Sequence, residues 1–272
     1  MPKTLYVSDL DGTLLQNDQT LSAFTGQTLN RLIERGMLFS YATARSYYSS
    51  SKVTAGLNAH IPVIVYNGTF ILENQTQKPL LSNSFSKEEG SWILSTLLQC
   101  GVYPIVYSFL GGRETFSYRA NRQSRGTKLF LDQHRGDERE RIVFDDASLF
   151  AGELFHFSCI DEPEKLFPLY EQFKEAFSCV YYREAYTNEQ WLEIHPGAAT
   201  KANAVLELKK LLHCDRVVCF GDGKNDLSMF ALADECYAVE NAAEELKAIA
   251  TGIIDSNEQD GVAKWLLAQI EK

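Results

Sequence analysis

The sequence has few of the features that mark membrane or secreted proteins. No apolar run in its 272 residues approaches the ~20 residues that a transmembrane helix needs. Met1-Pro2-Lys3 leads directly into an apolar segment, which predicts a chain without a cleavable signal peptide. The six cysteines form no CxxC pair and mostly lie in apolar stretches. We therefore expect buried thiols in a reducing compartment, and predict a cytoplasmic protein.

Positive charge is also scarce. The chain has 26 Lys and Arg residues against 36 Asp and Glu residues, which gives a formal net charge of −10. A nucleic acid requires a basic face, and an anionic membrane surface attracts basic segments. We therefore expect neither partner. An acidic protein can still bind a small anionic substrate when a divalent metal ion supplies the local positive charge.

The first apolar segment ends in a pair of acids. Residues 5–8 predict a buried strand, and Asp9, Asp11 and Gly12 follow it directly. Two neighbouring carboxylates repel each other and cost desolvation unless a cation or a proton lies between them. Gly12 allows a sharp turn around one small site. A solvated Asp-Gly turn is the alternative, because this pair is common in hairpins.

Strand and helix patterns alternate in the first and last thirds of the chain, which predicts a parallel sheet with helical crossovers. The predicted strands are 5–8, 37–41, 62–66, 69–72, 217–220 and 237–239. The predicted helices are 22–36, 45–57, 201–212, 226–233 and 262–270. The pattern changes in between, where strands 103–109, 115–118, 155–160 and 180–182 accompany helices 87–100 and 162–176. We predict a core domain of residues 1–80 and 188–272, and an inserted α+β domain of residues 81–187.

A second acidic cluster, Asp222 and Asp226, follows the predicted strand 217–220. Ligands of an open parallel sheet bind outside the carboxyl ends of its strands, so Asp9, Asp11 and these two acids are expected to converge on one crevice. Several carboxylates with no histidine favour a hard cation, and Mg²⁺ is the predicted metal. Helix capping is the alternative for Asp226, although it does not account for Asp222.

Two further residues are suited to binding a phosphate. Thr43 lies just beyond the second predicted strand, where its hydroxyl and the neighbouring amides can donate hydrogen bonds to a phosphoryl oxygen. A helix N-cap is the alternative for Thr43. Lys201 opens a predicted helix and can tether a phosphate, whereas a lone lysine is usually a solvated surface residue.

Together these motifs resemble the haloacid dehalogenase superfamily, and more narrowly its Cof-type phosphatases with a large inserted cap. The resemblance is carried by Asp9-x-Asp11-Gly12-Thr13, Thr43, Lys201 and Gly221-Asp222-x-x-Asn225-Asp226. It implies an α/β fold, with a Rossmann-like doubly wound parallel sheet as the core and an α+β cap domain. The sequence departs from the family pattern at Ala202, where glycine is usual, and at Glu240, which replaces the glycine of Gly-Asn-Ala.

The resemblance also implies roles for individual residues. Asp9 would be the nucleophile that forms an aspartyl-phosphate, and Asp11 the general acid and base. Asp9, Asp222 and the backbone carbonyl of Asp11 would bind Mg²⁺. Phosphoryl oxygens would be bound by Thr43, Lys201 and Asn225. The residues that bind metal and phosphate would be supported by Asp226, Gly12 and Arg45.

The inserted domain is expected to select the substrate. It contains a locally basic stretch, in which Arg119 and Arg122 are candidates for contacting a second anionic group of the substrate. A solvated charged face is the alternative.

The sequence therefore predicts a Mg²⁺-dependent phosphatase acting on small phosphate monoesters such as sugar phosphates, nucleotides or phosphorylated cofactors. Two alternatives remain at this point. One is a phosphotransferase or phosphomutase of the same superfamily, and the other is a catalytically silent sensor that binds phosphate esters. Dehalogenation fits less well, because Asp11, Lys201 and the Asp222/Asp226 pair suit metal-assisted phosphoryl chemistry.

Overall fold

The computed structural model describes residues 2–183 and 187–270. The chain begins with β1 (Thr4–Ser8), α1 (Ala23–Glu34), β2 (Leu38–Tyr41), α2 (Tyr47–Val53), β3 (Val63–Val65), β4 (Phe70–Leu72) and β5 (Pro79–Ser82). It continues with α3 (Lys87–Gln99), β6 (Ile105–Leu110), β7 (Arg113–Arg119), α4 (Arg125–Gln133), β8 (Glu140–Val143), β9 (Glu153–Ile160), α5 (Pro163–Phe173), β10 (Ser178–Arg183) and β11 (Gln190–His195). It ends with α6 (Lys201–Leu211), β12 (Arg216–Gly221), α7 (Leu227–Leu232), β13 (Glu235–Val239), α8 (Glu244–Lys247), β14 (Gly252–Ile254) and α9 (Gly261–Ile270).

The elements divide into two compact units. The described residues up to Ser82 and from Ala199 onward form the first unit, and those within Asn83–Ala198 form the second. The inserted domain predicted from the sequence ends at residue 187, whereas the second unit continues to Ala198. The second unit is longer because it includes β11, which pairs antiparallel with both β9 and β10.

The first unit is built on a parallel sheet with the strand order β14-β13-β12-β1-β2. Ser8, the last residue of β1, lies opposite Phe220 of β12 and Tyr41 of β2, so these three strands end together. The predicted α/β fold with a parallel core sheet is confirmed. Because the strand ends coincide, the segments that follow them begin side by side along one edge.

The third predicted strand, 62–66, lies outside this ladder. β3 instead forms an antiparallel sheet with β4 and β5. The chain reverses at Asn67 and Gly68, whose φ angles of 52° and 98° bring β4 back along β3. A single parallel bridge between Ala42 and Ile64 connects β3 to the end of β2.

The second unit has a mixed sheet with the strand order β10-β11-β9-β6-β7-β8, in which β7 and β8 are parallel. Helices α3 and α5 contribute apolar side chains to its core, among them Ile93, Leu97, Leu166 and Phe173. These pack with Phe157 of the central strand β9. Burial of such side chains is the main stabilising contribution to a unit of this size.

None of the described helices is long and apolar enough to cross a membrane. The cysteines are free thiols; Cys159, Cys214, Cys219 and Cys236 are buried, and Cys100 is exposed.

Candidate active site

Asp9 and Asp222 leave adjacent strands at the same edge of the core sheet. The Asp9 N–H donates to the Phe220 carbonyl at 2.9 Å, and a wide turn after Asp9 closes where the Leu15 N–H donates to the Leu10 carbonyl at 2.8 Å. Gly12 lies inside this turn with φ +74°, and a Cβ atom there would lie 2.5 Å from Asp222 Oδ2. Glycine is therefore required both by the backbone angle and by the close approach of the Asp222 carboxylate.

Lys201 is buried between two carboxylates. Its Nζ donates to Asp9 Oδ1 at 2.5 Å and to Asp226 Oδ1 at 2.7 Å, and the residue is only 2% exposed. Thr200 begins helix α6 by accepting a hydrogen bond from the Asn203 N–H, which fixes the position of Lys201 in the first turn. Lys201 is thus a charged core residue and not the solvated lysine that its sequence context alone would suggest.

Asp226 organises the second acidic turn. Its Oδ2 accepts the backbone N–H groups of Asp222 and Gly223, both at 3.1 Å. Helix α7 begins one residue later without a capping hydrogen bond from the Asp226 side chain. Asp226 therefore closes the turn that precedes the helix and pairs with Lys201, in place of capping the helix.

Burial and mutual repulsion control the protonation of the carboxylates. Burial raises the pKa of Asp9 well above its ordinary value; the positive charge of Lys201 lowers it in part, and Asp226 and Asp222 raise it further. Burial and the charge of Asp226 raise the pKa of Asp222 to about 6. Burial alone would lower the pKa of Lys201, but Asp226 and Asp9 outweigh it and raise the pKa.

The carboxylates of Asp9, Asp222 and Asp226 could hold a metal ion, because one ligand atom of each lies within 4.8 Å of the others. Asp226 already accepts hydrogen bonds at both oxygens, from Lys201 and from two backbone N–H groups. Asp222 Oδ1 accepts from Thr13 Oγ1 at 3.0 Å. These oxygen donors suit a hard divalent cation. Among the described contacts, Asp9 and Asp222 each accept a hydrogen bond at one carboxylate oxygen only, whereas Asp226 accepts hydrogen bonds at both.

The Asp11 side chain lies outside this carboxylate cluster and forms an ion pair with Arg45. It is 47% exposed and accepts two hydrogen bonds from the guanidinium group of Arg45. The carboxylates that share the candidate metal position are therefore those of Asp9, Asp222 and Asp226, while the Asp11 carboxylate lies with Arg45.

Two further predicted site residues, Thr43 and Asn225, lie on the same unit. Thr43 is fully buried just beyond β2, and its Oγ1 accepts the Arg45 N–H at 3.1 Å. The N-cap of α2 is Ser46, so the alternative that Thr43 is an ordinary N-cap does not apply. Asn225 is exposed in the turn between Asp222 and Asp226.

Sequence reasoning missed several residues that hold the first acidic turn. The Asn241 side chain donates to the Gly12 carbonyl at 2.8 Å, and its Oδ1 accepts the Asn257 N–H at 3.1 Å. Asn257 in turn donates to the Leu15 carbonyl at 3.0 Å. Asn241 could have been found from the Glu240-Asn241-Ala242 segment, which the family resemblance singled out without assigning it a contact.

The two arginine candidates of the second unit already have partners there. Arg119 Nε lies 2.9 Å from Asp146 Oδ1, and the Arg119 side chain is 11% exposed. The Arg122 guanidinium lies over the Tyr103 ring, 5.6 Å from its centroid, and the residue is exposed. Arg122 is thus the more accessible of the two cations.

A family model described as haloacid dehalogenase-like hydrolase matches residues 6–266. The chain belongs to this family. The match covers the core motifs and the inserted unit alike, so the recognition from sequence is confirmed and the chain is a hydrolase.

Relatives named as phosphatases agree with this assignment, and a solved structure has the same fold. The chain is 27% identical, over 95% of both chains, to the 5-amino-6-(5-phospho-D-ribitylamino)uracil phosphatase YwtE of Bacillus subtilis. It is 26% identical to the HMP-PP phosphatase of Serratia proteamaculans, over 95% of this chain and 92% of the relative. A haloacid dehalogenase-like hydrolase of Bacteroides thetaiotaomicron has the same fold, with a TM-score of 0.78, 22% identity, and 98% and 99% of the two chains covered.

Proposed function

We propose that this hydrolase cleaves phosphate monoesters of small molecules through an aspartyl-phosphate on Asp9. The observation that carries the proposal is the buried Asp9–Lys201–Asp226 arrangement at the end of β1. Lys201 engages Oδ1 of Asp9, so Oδ2 is the oxygen assigned to attack phosphorus. Relatives that cover nearly the whole chain are named as phosphatases, which supports the same reaction class.

The proposed reaction has two halves. In the first, Asp9 Oδ2 forms a bond to phosphorus, the ester P–O bond breaks, and Asp11 gives its proton to the departing alcohol. In the second, Asp11 takes a proton from water, the water oxygen bonds to phosphorus, and the bond to Asp9 breaks to release inorganic phosphate. Asp11 ends with the proton that it supplied at the start, and Asp9 is again a free carboxylate.

Phosphoryl oxygens are assigned to Thr43, Lys201 and Asn225. An ammonium group has three N–H donors, and two of those on Lys201 bond to Asp9 and Asp226. The third N–H has no partner among the contacts of the described residues, and it is assigned to a phosphoryl oxygen. Donors fixed in this way stabilise charge on the phosphoryl group without having to reorganise during the reaction.

Asp9 and Asp222 are the residues assigned to bind Mg²⁺, with the Asp11 backbone carbonyl as a further ligand. A bound Mg²⁺ would neutralise charge between the anionic phosphoryl group and the anionic nucleophile. The fit rests on the oxygen-only donor set and on the clustering of three carboxylates, where burial and the neighbouring negative charges raise the pKa of Asp9 and Asp222.

Mg²⁺ is expected to raise the melting temperature of the wild-type protein, and Asp222→Asn to abolish most of that rise. The effect should weaken as the pH falls through about 6, because protons compete with the metal for Asp222. Differential scanning calorimetry across a Mg²⁺ titration at several pH values measures it. Asp132→Asn, which changes an exposed carboxylate of the second unit, should respond like the wild type. An undiminished Mg²⁺ response in Asp222→Asn would contradict the assignment.

The substrate class is proposed to be small, soluble phosphate esters, with the inserted unit as the part that selects among them. The chain's relatives are named for a phosphoribitylamino-uracil and for HMP-PP, which supports heterocyclic and sugar-like phosphates in a first panel. We propose the cytoplasm as the location, since such metabolites occur there and the cysteines are free thiols.

A phosphate-release assay over a broad panel of metabolites, with and without Mg²⁺, tests the proposed function. Release of inorganic phosphate with the free alcohol supports hydrolysis. An isomerised or transferred phosphate ester would instead identify a phosphomutase or phosphotransferase. Tight binding of an ester without phosphate release would identify a sensor.

Substitution of Arg122 by Gln is expected to alter the ranking of substrates in this panel, with losses of about 10-fold confined to esters that carry a second anionic group. Arg119→Gln should act mainly on the stability of the second unit, because Arg119 pairs with Asp146. The measurement is kcat/KM across the panel together with the melting temperature of each variant. Unchanged kcat/KM across the panel for both variants would dismiss a role of these arginines in specificity.

A further inference from the structure

The side chains of Arg45 and Asp11 are joined in a side-by-side ion pair. Arg45 Nε donates to Asp11 Oδ2 at 2.7 Å, and Nη2 donates to Oδ1 at 2.5 Å. This arrangement matches a planar guanidinium group to a planar carboxylate, so it fixes orientation as well as distance. The carboxylate proposed for proton transfer is therefore held in one orientation by a second side chain.

Arg45 is itself fixed by polar groups around it. Nη1 donates to Ser49 Oγ at 3.0 Å, and Nη2 also donates to Gln19 Oε1 at 2.7 Å. The Arg45 side chain is 17% exposed against 47% for Asp11. The arginine is thus the anchored partner, and the more exposed carboxylate is the one that can turn.

The protonation state of Asp11 determines how the pair can form. Arginine donates hydrogen bonds and accepts none, so both bonds suit a deprotonated carboxylate. When Asp11 carries the proton intended for the leaving alcohol, the protonated oxygen becomes a donor that arginine cannot accept. That oxygen must then face away from Arg45, while the other oxygen can remain bound to it.

We propose that Arg45 is the positioning residue for proton transfer, holding one oxygen of Asp11 while the other is aimed at the leaving-group oxygen. The inference rests on the proposed function and concerns a residue that acts through Asp11. Loss of the guanidinium group therefore affects the protonation of the leaving group and leaves the attack of Asp9 intact. The effect depends on how much a given ester needs that proton.

Two esters distinguish a role of Arg45 in proton transfer from a role in phosphate binding or in folding. A simple alkyl phosphate releases a poor leaving group that needs a proton, whereas p-nitrophenyl phosphate releases an anion that needs none. The parameter kcat/KM reports the steps up to the first irreversible bond cleavage, which is the half-reaction in question. Arg45→Lys keeps the charge but cannot form the side-by-side pair.

Arg45→Lys is expected to lower kcat/KM for the alkyl ester by about 10-fold to 100-fold, within the range of general acid catalysis, and for the aryl ester by less than about 3-fold. The matched control is Arg216→Lys, which changes an arginine paired with Glu235 at the amino end of β12 in the same unit. It should leave both esters unchanged. In an Asp11→Asn background, Arg45→Lys should cause no further loss, because Arg45 then has no proton donor to position.

Two results would overturn the inference and leave the proposed function standing. Equal losses on both esters that persist in the Asp11→Asn background would show that Arg45 contacts the phosphoryl group or supports the fold. No loss on either ester would show that the pair has no part in the reaction. A wild-type protein that releases phosphate from neither ester nor from the metabolite panel would remove the proposed function, and this inference with it.

Discussion

Asp9→Asn is expected to abolish phosphate release, with a loss of at least about 10⁴-fold in kcat, as found when enzymes lose a nucleophile. An amide is a poor nucleophile and cannot form the acyl phosphate on which the proposed reaction depends. The variant should nevertheless fold, because the asparagine carbonyl can still accept the Lys201 hydrogen bond at Oδ1.

The control for Asp9→Asn is Asp18→Asn, which makes the same chemical change at an exposed position in the same unit. Asp18 accepts hydrogen bonds from Thr20 and lies outside the carboxylate cluster, so its variant should keep wild-type activity. Phosphate release and circular dichroism on both variants separate lost chemistry from lost folding. Substantial phosphate release by folded Asp9→Asn would exclude Asp9 as the attacking residue.

The core of the fold could be predicted because its strands and helices have strong patterns. Alternating strand and helix segments predicted the parallel sheet, and the rule that ligands bind at the carboxyl ends of its strands predicted that Asp9 and Asp222 would meet. The register of β1 with β12 brings them together in the structure. The predicted grouping of Asp11 with the same carboxylates was incomplete, because its backbone lies in the turn while its side chain pairs with Arg45.

Several elements of the second unit escaped prediction for identifiable reasons. The apolar residues of helix α4 are consecutive, Leu129 to Leu131, so they do not repeat at the three- to four-residue spacing that indicates a helix, and only Gly126 and Thr127 are buried in it. Strand β11 does have an alternating pattern, since Leu192 and Ile194 are fully buried while Glu193 is not. That signal was available in the sequence and would have extended the insert beyond 187.

The contacts of individual charged side chains depend on tertiary packing and could not be predicted. Neither the burial of Lys201 nor the pairing of Arg45 with Asp11 follows from local sequence. Both need segments that are distant in the chain to meet at a set angle. The family resemblance identified the residue types, and the structure supplies the partners.

Lys201→Met is expected to destabilise the metal-free protein by about 3–5 kcal/mol near neutral pH, the usual effect of leaving a buried charge without its partner. Asp9 and Asp226 would then be buried next to Asp222 with no compensating ammonium group. The matched control is Lys210→Met in the same helix, which removes an exposed lysine that pairs with Glu207. Urea unfolding without Mg²⁺ measures both variants, and equal stabilities would contradict the prediction.

The pH dependence of the Lys201→Met defect identifies its cause. Burial and like charges raise the pKa of Asp9, and raise that of Asp222 to about 6, even with Lys201 present. Without Lys201 the pKa values of these carboxylates rise further, so the native variant binds protons at pH values where the wild-type site does not, and the stability of the variant relative to wild type rises as the pH falls toward 6. Adding Asp226→Asn should recover part of the loss near neutral pH, because it removes one of the repelling charges and retains an acceptor for the Asp222 and Gly223 N–H groups. A deficit independent of both pH and this second substitution would trace the lost stability to side-chain packing and not to the buried charges.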